Sequence, residues 1–180
     1  MSRVLIVYGT TDGHTRLIAE AIGDTLRLSG VDADVILAGS ADPSPARYAG
    51  VIVAASIHAG GYQQTVQHWV RAHARQLDAL PTAFISACLS IVNPSPKVLA
   101  DLDVIVSRFV KTTGWRPARI KHVAGALLYT RYNFFKRWLM KRIAASHGGA
   151  TDTTKDYDYT DWPDLKKFAE EFRRHIRAAA

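Results

Sequence analysis

Residues 9–15 read GTTDGHT and directly follow a short apolar run. Three threonines in this segment supply hydroxyl groups, namely Thr10, Thr11 and Thr15. Gly13 permits a tight turn, and the helix expected to begin near the next residue offers free backbone N–H groups, so a phosphate group could bind here. The segment has neither a Walker lysine nor a GxGxxG pattern, which disfavours nucleoside triphosphates and dinucleotides. The alternative is an ordinary turn with a helix cap.

Two further loops with functional side chains follow apolar runs, at residues 57–62 (IHAGGY) and 87–93 (ACLSIVN). His58 is a candidate for proton transfer or for balancing negative charge, and is equally typical of a solvent-facing loop histidine. Cys88 is the only cysteine of the chain, and such a residue is more often a small buried apolar group than a redox thiol. We find no convincing catalytic acid–base pair in these segments.

Alternating strands and helices position these loops. Near-continuous apolar runs predict buried parallel strands, at residues 3–8, 32–37, 50–57, 82–89 and 120–128. Helical periodicity and start signals predict helices, at residues 15–30, 62–77, 96–112 and 161–177. The pattern predicts a single α/β domain over residues 1–180 with a doubly wound parallel sheet of strand order 2-1-3-4-5. That order brings the three loops together, as in a site for flavin mononucleotide (FMN).

Residues 129–160 are too many for an ordinary connection between the fifth strand and the last helix. A helix in this insertion, at about 100° per residue, separates an aromatic arc from a basic side. The aromatic arc contains Phe134, Phe135, Trp138 and Leu139, with Arg142 among them, and the basic side contains Lys136, Arg137 and Lys141. One interpretation is a helix that lies on an anionic membrane surface. The other is a helix packed on the domain with its basic face in solvent.

The charge of the chain is concentrated rather than spread evenly. The formal net charge is +7, and the stretch from Arg108 to Arg142 contains ten basic residues and no Asp or Glu. A basic surface of this kind suits nucleic acid, anionic lipid or an acidic substrate. One cysteine excludes an internal disulfide and a cysteine-based metal cluster. We expect no metal, no secretory signal and no membrane span.

Residues 4–15 resemble the phosphate loop of flavodoxins, whose pattern is Ser/Thr-x-Thr-Gly-x-Thr. Asp12 replaces a hydroxyl residue of that pattern, and because a carboxylate would repel a phosphate, we expect Asp12 to turn inward and cap backbone amides. The flavodoxin-like, quinone-dependent protoporphyrinogen IX dehydrogenases of bacteria are similar in carrying Asp-Gly at this point. The chain also resembles them at residues 55–62, 114–127, 129–138 and 148–162, so the resemblance covers nearly its whole length.

The resemblance implies a flavodoxin-like fold and an FMN enzyme that oxidises protoporphyrinogen IX and reduces a membrane quinone, menaquinone or ubiquinone, in haem biosynthesis. It implies cofactor contacts of three groups of residues. These groups are Thr10, Thr11, Asp12, Gly13, His14 and Thr15 at the phosphate, then Ser56, Ile57, His58, Gly60 and Tyr62 on one side of the ring, and Ser86, Ala87, Cys88 and Leu89 at its other edge. It further implies a membrane or substrate surface at Arg131, Phe134, Phe135, Lys136, Arg137, Trp138, Lys141 and Arg142.

With that surface we expect a cytoplasmic protein bound peripherally to the inner membrane. Three alternatives remain open, the first of which is another FMN-dependent quinone reductase. An electron-transfer flavodoxin would be a carrier rather than an enzyme, although carriers that dock on basic partners are usually acidic. A nucleic-acid-binding module would explain the basic charge but not the three converging loops, and no recognised binding motif is present.

Overall fold

The computed structural model describes residues 2–146 and 149–178. Its main sheet is parallel and has the order β2-β1-β3-β4-β5, which confirms the predicted topology. The strands of this sheet are β1 (Arg3–Gly9), β2 (Asp32–Leu37), β3 (Gly50–Ser56), β4 (Thr82–Cys88) and β5 (Arg119–Ala124). The strand order reverses between β1 and β3, and ligands of doubly wound sheets bind beside such a point, at the carboxyl ends of the strands.

Helices cover both faces of the sheet. They are α1 (His14–Leu28), α2 (Gln64–Asp78), α3 (Pro96–Thr113), α4 (Phe134–Ser146) and α5 (Trp162–Ala178). Apolar residues of α1 and α5 pack on one face, and those of α2 and α3 pack on the other. Within β1, Val4 and Ile6 join the first cluster while Leu5 and Val7 join the second. Burial on both faces therefore explains why the strands read as continuous apolar runs.

The prediction of a fifth strand over residues 120–128 is wrong for the second half of that range. β5 ends at Ala124, and after Gly125 the chain forms a separate two-residue strand, β6 (Ala126–Leu127). β6 pairs antiparallel with β7 (Tyr157–Asp158). The apolar run continues through Gly125 in the sequence, but the backbone there leaves the main sheet to meet the end of the insertion.

The insertion folds back over the carboxyl ends of the strands, since Lys136 of α4 pairs with Asp12 in the loop after β1. Asn133 caps this helix, because its side-chain Oδ1 accepts the N–H of Lys136 at 2.9 Å. Arg137 donates to the carbonyl oxygens of Tyr129 and Tyr132, each at 3.1 Å. These contacts fasten the start of α4 to the turn that precedes it.

Candidate functional site

The loop after β1 forms a turn that leaves the start of α1 open to an anion. Gly13 has φ = 92°, in the left-handed region where glycine is favoured, and its N–H donates to Thr10 Oγ1 at 2.9 Å. In the described structure no side chain caps α1, and its first turn contains no acidic residue. Uncapped N–H groups at the positive end of a helix attract phosphate groups. The loop geometry therefore fits a phosphate-bearing ligand.

Three loops surround one hollow of about 90 Å³ at this edge of the sheet. Eleven predicted cofactor residues line it, namely Thr10, Thr11, Asp12, His14, Thr15, Ser56, Ile57, His58, Ala87, Cys88 and Leu89. The insertion and the segment before it add Gly125, Ala126, Tyr132 and Met140. The hollow thus combines residues from four separate parts of the chain.

A second hollow of about 320 Å³ adjoins the first. The two share Ile57, His58, Cys88, Leu89 and Met140 and so form one groove. The lining of the second hollow is largely apolar and includes Leu139 and Ala144 of α4. A groove that is polar at one end and apolar at the other suits a ligand with a phosphate and a planar ring system, and the residues present fit FMN.

The loop after β3 is a tight turn at the junction of the two hollows. The N–H of His58 donates to the Gly61 carbonyl at 2.8 Å, and the N–H of Gly61 donates back to the His58 carbonyl at 3.1 Å. Between them, Ala59 and Gly60 have φ values of 48° and 76°. A positive φ at a non-glycine residue is strained, and such strain often occurs at ligand-binding loops. The turn presents the exposed His58 side chain beside the groove.

Three residues predicted to contact the ring, Tyr62, Ser86 and Gly60, do not line either hollow. Tyr62 packs edge-on against Phe84 and Phe109 in the core, and its hydroxyl is 2.8 Å from Ser86 Oγ. Burial raises the pKa of Tyr62 to about 12, and Ser86 is fully buried. The Gly60 carbonyl accepts a long hydrogen bond from an Arg108 Nη atom at 3.5 Å. Contact of these three residues with the ring stays a prediction.

The side chain of His14 turns towards the segment before α5 rather than towards a phosphate. Thr160 Oγ1 donates to the Ala124 carbonyl at 2.8 Å, so it accepts the Nε2–H of His14 at 2.7 Å. Asp158 Oδ1 lies 3.4 Å from the same nitrogen. Burial lowers the pKa of His14, with Asp158 opposing the shift. His14 is therefore a neutral link between α1 and the β7–α5 segment.

Asp12 does not cap backbone amides, and that prediction is wrong. Its Oδ1 pairs with Lys136 Nζ, and its Oδ2 accepts a long hydrogen bond from the Tyr132 hydroxyl at 3.4 Å. Within the described residues, Asp12 makes no side-chain hydrogen bond to a backbone N–H. The carboxylate instead holds the insertion against the phosphate loop, and Thr10 provides the local turn contact.

Cys88 ends β4 beside both hollows. Burial raises the pKa of its thiol, so the thiol stays protonated at neutral pH and is a poor nucleophile. Its position supports the interpretation as a small apolar lining residue.

In α4, two basic side chains face the protein and the aromatic side chains face solvent. This is the reverse of the simplest amphipathic helix, in which apolar residues face the protein. Lys136 and Arg137 make internal contacts, whereas Phe134 is 85%, Phe135 69% and Trp138 50% exposed. The exposed Arg142 lies over the Trp138 ring, with 5.2 Å between its guanidinium carbon and the ring centroid. The predicted basic side is therefore partly an inner, hydrogen-bonded face. The alternative of a packed helix with its basic face in solvent does not hold for Lys136 and Arg137.

Gln63, Tyr132 and Met140 are among the residues at the groove that the sequence did not single out. Gln63 Nε2 donates to Thr11 Oγ1 at 3.0 Å and to Ser56 Oγ at 2.8 Å, and so joins the first two loops. Tyr132 and Met140 line the first hollow from the insertion. Gln63 directly follows the predicted loop 57–62, and a polar side chain at that position is the signal that indicates it. The other two positions depend on how the insertion folds back, which no local pattern indicates.

Across residues 2–146 and 149–178, no group of His, Cys, Asp and Glu side chains has the arrangement of a metal site. In the same part of the chain, no helix combines the length and apolarity needed to cross a bilayer.

Comparison with known proteins gives a consistent result. A family model described as a flavodoxin domain matches residues 5–154. The chain is 36% identical over 170 residues to the protoporphyrinogen IX dehydrogenase (quinone) of Escherichia coli strain K12, with 94% of this chain and 93% of that protein covered. A Leishmania major protein of the same description is 36% identical over 172 residues, covering 94% and 74%. The oxidised flavodoxin 1 of Bacillus cereus superposes with a TM-score of 0.54 at 16% identity, covering 97% and 99%, which shows the fold alone.

Proposed function

The chain belongs to the flavodoxin-domain family that contains the protoporphyrinogen IX dehydrogenases (quinone), and on this premise we propose that it oxidises protoporphyrinogen IX to protoporphyrin IX with a quinone as electron acceptor. The protein is then an oxidoreductase of haem biosynthesis. Menaquinone and ubiquinone are the proposed acceptors, and FMN is the proposed flavin. The observation that carries the proposal is the continuous groove that joins the open start of α1 to an apolar hollow between the loops.

The residues of the groove divide the work of holding a flavin. The first turn of α1 and the hydroxyls of Thr10, Thr11 and Thr15 would hold the phosphate. The loops at residues 57–59 and 88–92 would flank the ring system. Bound FMN supplies the chemistry, because a flavin accepts hydride or single electrons from a substrate and transfers them to an acceptor.

The protein's own contribution is orientation, exclusion of water and control of protons. Leu89, Leu139 and Ala144 line the apolar hollow and would keep water from the reacting groups. His58 is an exposed imidazole at the junction of the hollows, and it is the proposed carrier of the protons that accompany electron transfer. The buried thiol of Cys88 takes no part, because burial raises its pKa and keeps it protonated.

The outer face of α4 is the proposed contact with an anionic bilayer, at the cytoplasmic face of the inner membrane. The exposed aromatic side chains of this face lie beside the exposed cations Lys141 and Arg142. Aromatic rings at the interface and cations near lipid phosphates are typical of interfacial helices. Since quinones reside in the bilayer, this contact would bring the second hollow, which Leu139 of α4 also lines, close to the acceptor.

The experiment loads the purified protein with FMN and adds protoporphyrinogen IX under anaerobic conditions. We expect a yellow protein that releases FMN on denaturation, and porphyrin fluorescence that develops when a quinone is supplied. A protein that takes up no FMN contradicts the cofactor assignment. A protein that binds FMN but oxidises no porphyrinogen is a flavodoxin-type carrier instead.

A further inference from the structure

The insertion lies against the phosphate loop, and its cations meet that loop directly. We propose that the insertion completes the phosphate end of the flavin site, with Lys136 neutralising Asp12 and Arg131 supplying the positive charge that the loop lacks. The inference rests on the proposed function in taking FMN as the ligand. It assigns to two residues of the expected membrane or substrate surface a different task, the recognition of the cofactor's phosphate.

The phosphate loop alone has the wrong charge for a phosphate. Residues 9–15 contain one acidic residue, Asp12, and no lysine or arginine. Their histidine, His14, lies in a buried hydrogen bond to Thr160, and burial lowers its pKa, so it adds no positive charge at neutral pH. Asp12 also lines the first hollow. A carboxylate close to a phosphate dianion costs free energy unless a cation is paired with it.

Lys136 is placed to remove that cost. Its Nζ pairs with Asp12 Oδ1 and lies 4.6 Å from the centroid of the Tyr132 ring. The side chains of Lys136 and Asp12 are only 29% and 28% exposed, so solvent screens the pair less than a surface pair. The cap of α4 by Asn133 fixes the backbone of Lys136. The pair therefore turns an anionic loop into a neutral one.

Arg131 brings a further positive charge to the same place. A Cβ atom built on Gly13 would lie 4.0 Å from an Arg131 Nη atom, so the guanidinium is adjacent to the left-handed turn at the start of α1. Among the described residues no carboxylate oxygen lies within 4.0 Å of this guanidinium. A phosphate bound by the N–H groups of α1 would meet a guanidinium, which binds phosphate oxygens well.

These contacts couple binding of the phosphate to docking of the insertion on the phosphate loop. A phosphate that prefers the loop with the insertion docked also stabilises the docked insertion, because coupling between two binding events is reciprocal. Affinity for the cofactor's phosphate should then depend on Lys136 and Arg131, while affinity for the flavin ring should not.

The test compares the dissociation constants of FMN and of riboflavin, which lacks the phosphate, by quenching of flavin fluorescence. Lys136→Met should lower the preference for FMN over riboflavin by about tenfold or more, because the Asp12 carboxylate then faces the phosphate unpaired. Asp12→Asn should raise the preference, because Lys136 then faces the phosphate without its carboxylate partner, and Asp12→Asn combined with Lys136→Met should restore most of the preference that Lys136→Met alone removes. Arg131→Gln should lower the preference as well. Lys141→Met, on the outer face of α4, is the matched control and should leave it unchanged.

Two results would overturn the inference. Equal weakening of FMN and riboflavin by Lys136→Met would show that the pair only supports the fold. An unchanged preference in both the Lys136 and the Arg131 variants would show that the insertion takes no part in phosphate recognition. In both cases the wild type still binds FMN, so the proposed function stands. A wild type that binds neither flavin refutes the proposed function, and the inference falls with it.

Discussion

Replacing Phe134 by alanine should weaken binding to anionic vesicles by roughly tenfold to sixtyfold. Full burial of a phenylalanine side chain is worth about 1.5–3 kcal/mol. Phe134 is 85% exposed, so transfer of that exposed part into the bilayer interface would contribute about 1.3–2.6 kcal/mol. Since about 1.4 kcal/mol corresponds to a tenfold change in affinity, most of this contribution should be visible as lost binding.

The assay is sedimentation of the FMN-loaded protein with vesicles of phosphatidylglycerol and phosphatidylethanolamine. Leu28→Ala is the matched control, because Leu28 is 87% exposed but lies at the other end of α1 from the phosphate loop. The Phe134 variant should keep the unfolding midpoint of the wild type, since exposed substitutions usually change stability by less than about 0.5 kcal/mol.

Three results would refute the membrane contact. The wild type could fail to sediment with anionic vesicles, Phe134→Ala could bind as strongly as the wild type, or Leu28→Ala could weaken binding equally. The last result would show that any exposed apolar side chain contributes and that α4 is not the contact.

Three further predictions concern the residues whose positions the structure defines. Tyr62→Phe should lower the free energy of unfolding in urea by about 0.5–1.5 kcal/mol, because the Ser86 hydroxyl loses its hydrogen-bond partner. FMN affinity should not change, and a lower affinity would show that Tyr62 contacts the flavin. Gly9→Ala should destabilise the protein by about 1–3 kcal/mol or prevent folding, because its Cβ would lie 2.4 Å from Val66 Cγ2; a stable variant would refute the close packing. Burial lowers the pKa of His14 below its ordinary value of 6.5, so the unfolded chain binds the proton more readily. Stability should therefore be full above pH 6.5 and fall below it. The decline in urea midpoint should be shallower in His14→Gln, and an equal decline would exclude His14 as a cause.

The sheet and its three loops could be predicted from the sequence because burial of a strand requires a local run of apolar residues. A strand covered on both faces needs apolar residues at every position, as in β1 and β3, and helices between such strands force a parallel order. The end of β5 before Gly125 could not be predicted from such a pattern, since the residues after Gly125 are as apolar as those before it.

The orientation of α4 and the partner of Asp12 could not be predicted in this way. Periodicity tells which residues share a face of a helix, but it does not tell which face meets the protein. Lys136 lies 124 positions from Asp12 in the chain, and only the fold of the insertion brings the two together. The inward packing of Tyr62 on Phe84 and Phe109 could not be predicted either, because an aromatic residue after a loop can pack inwards or face a ligand.

The most direct test of the account is the quinone dependence of porphyrinogen oxidation by the FMN-loaded protein without oxygen. We predict that each protein molecule converts many molecules of protoporphyrinogen IX to the fluorescent porphyrin when menaquinone or ubiquinone is present. Without a quinone, oxidation should stop once the bound flavin is reduced, and porphyrin should scarcely form, because one flavin accepts only part of the electrons that each protoporphyrinogen must lose. Two results would contradict the assignment of this groove to porphyrinogen–quinone electron transfer. One is oxidation at the same rate with and without a quinone, and the other is no oxidation by a protein that is fully loaded with FMN.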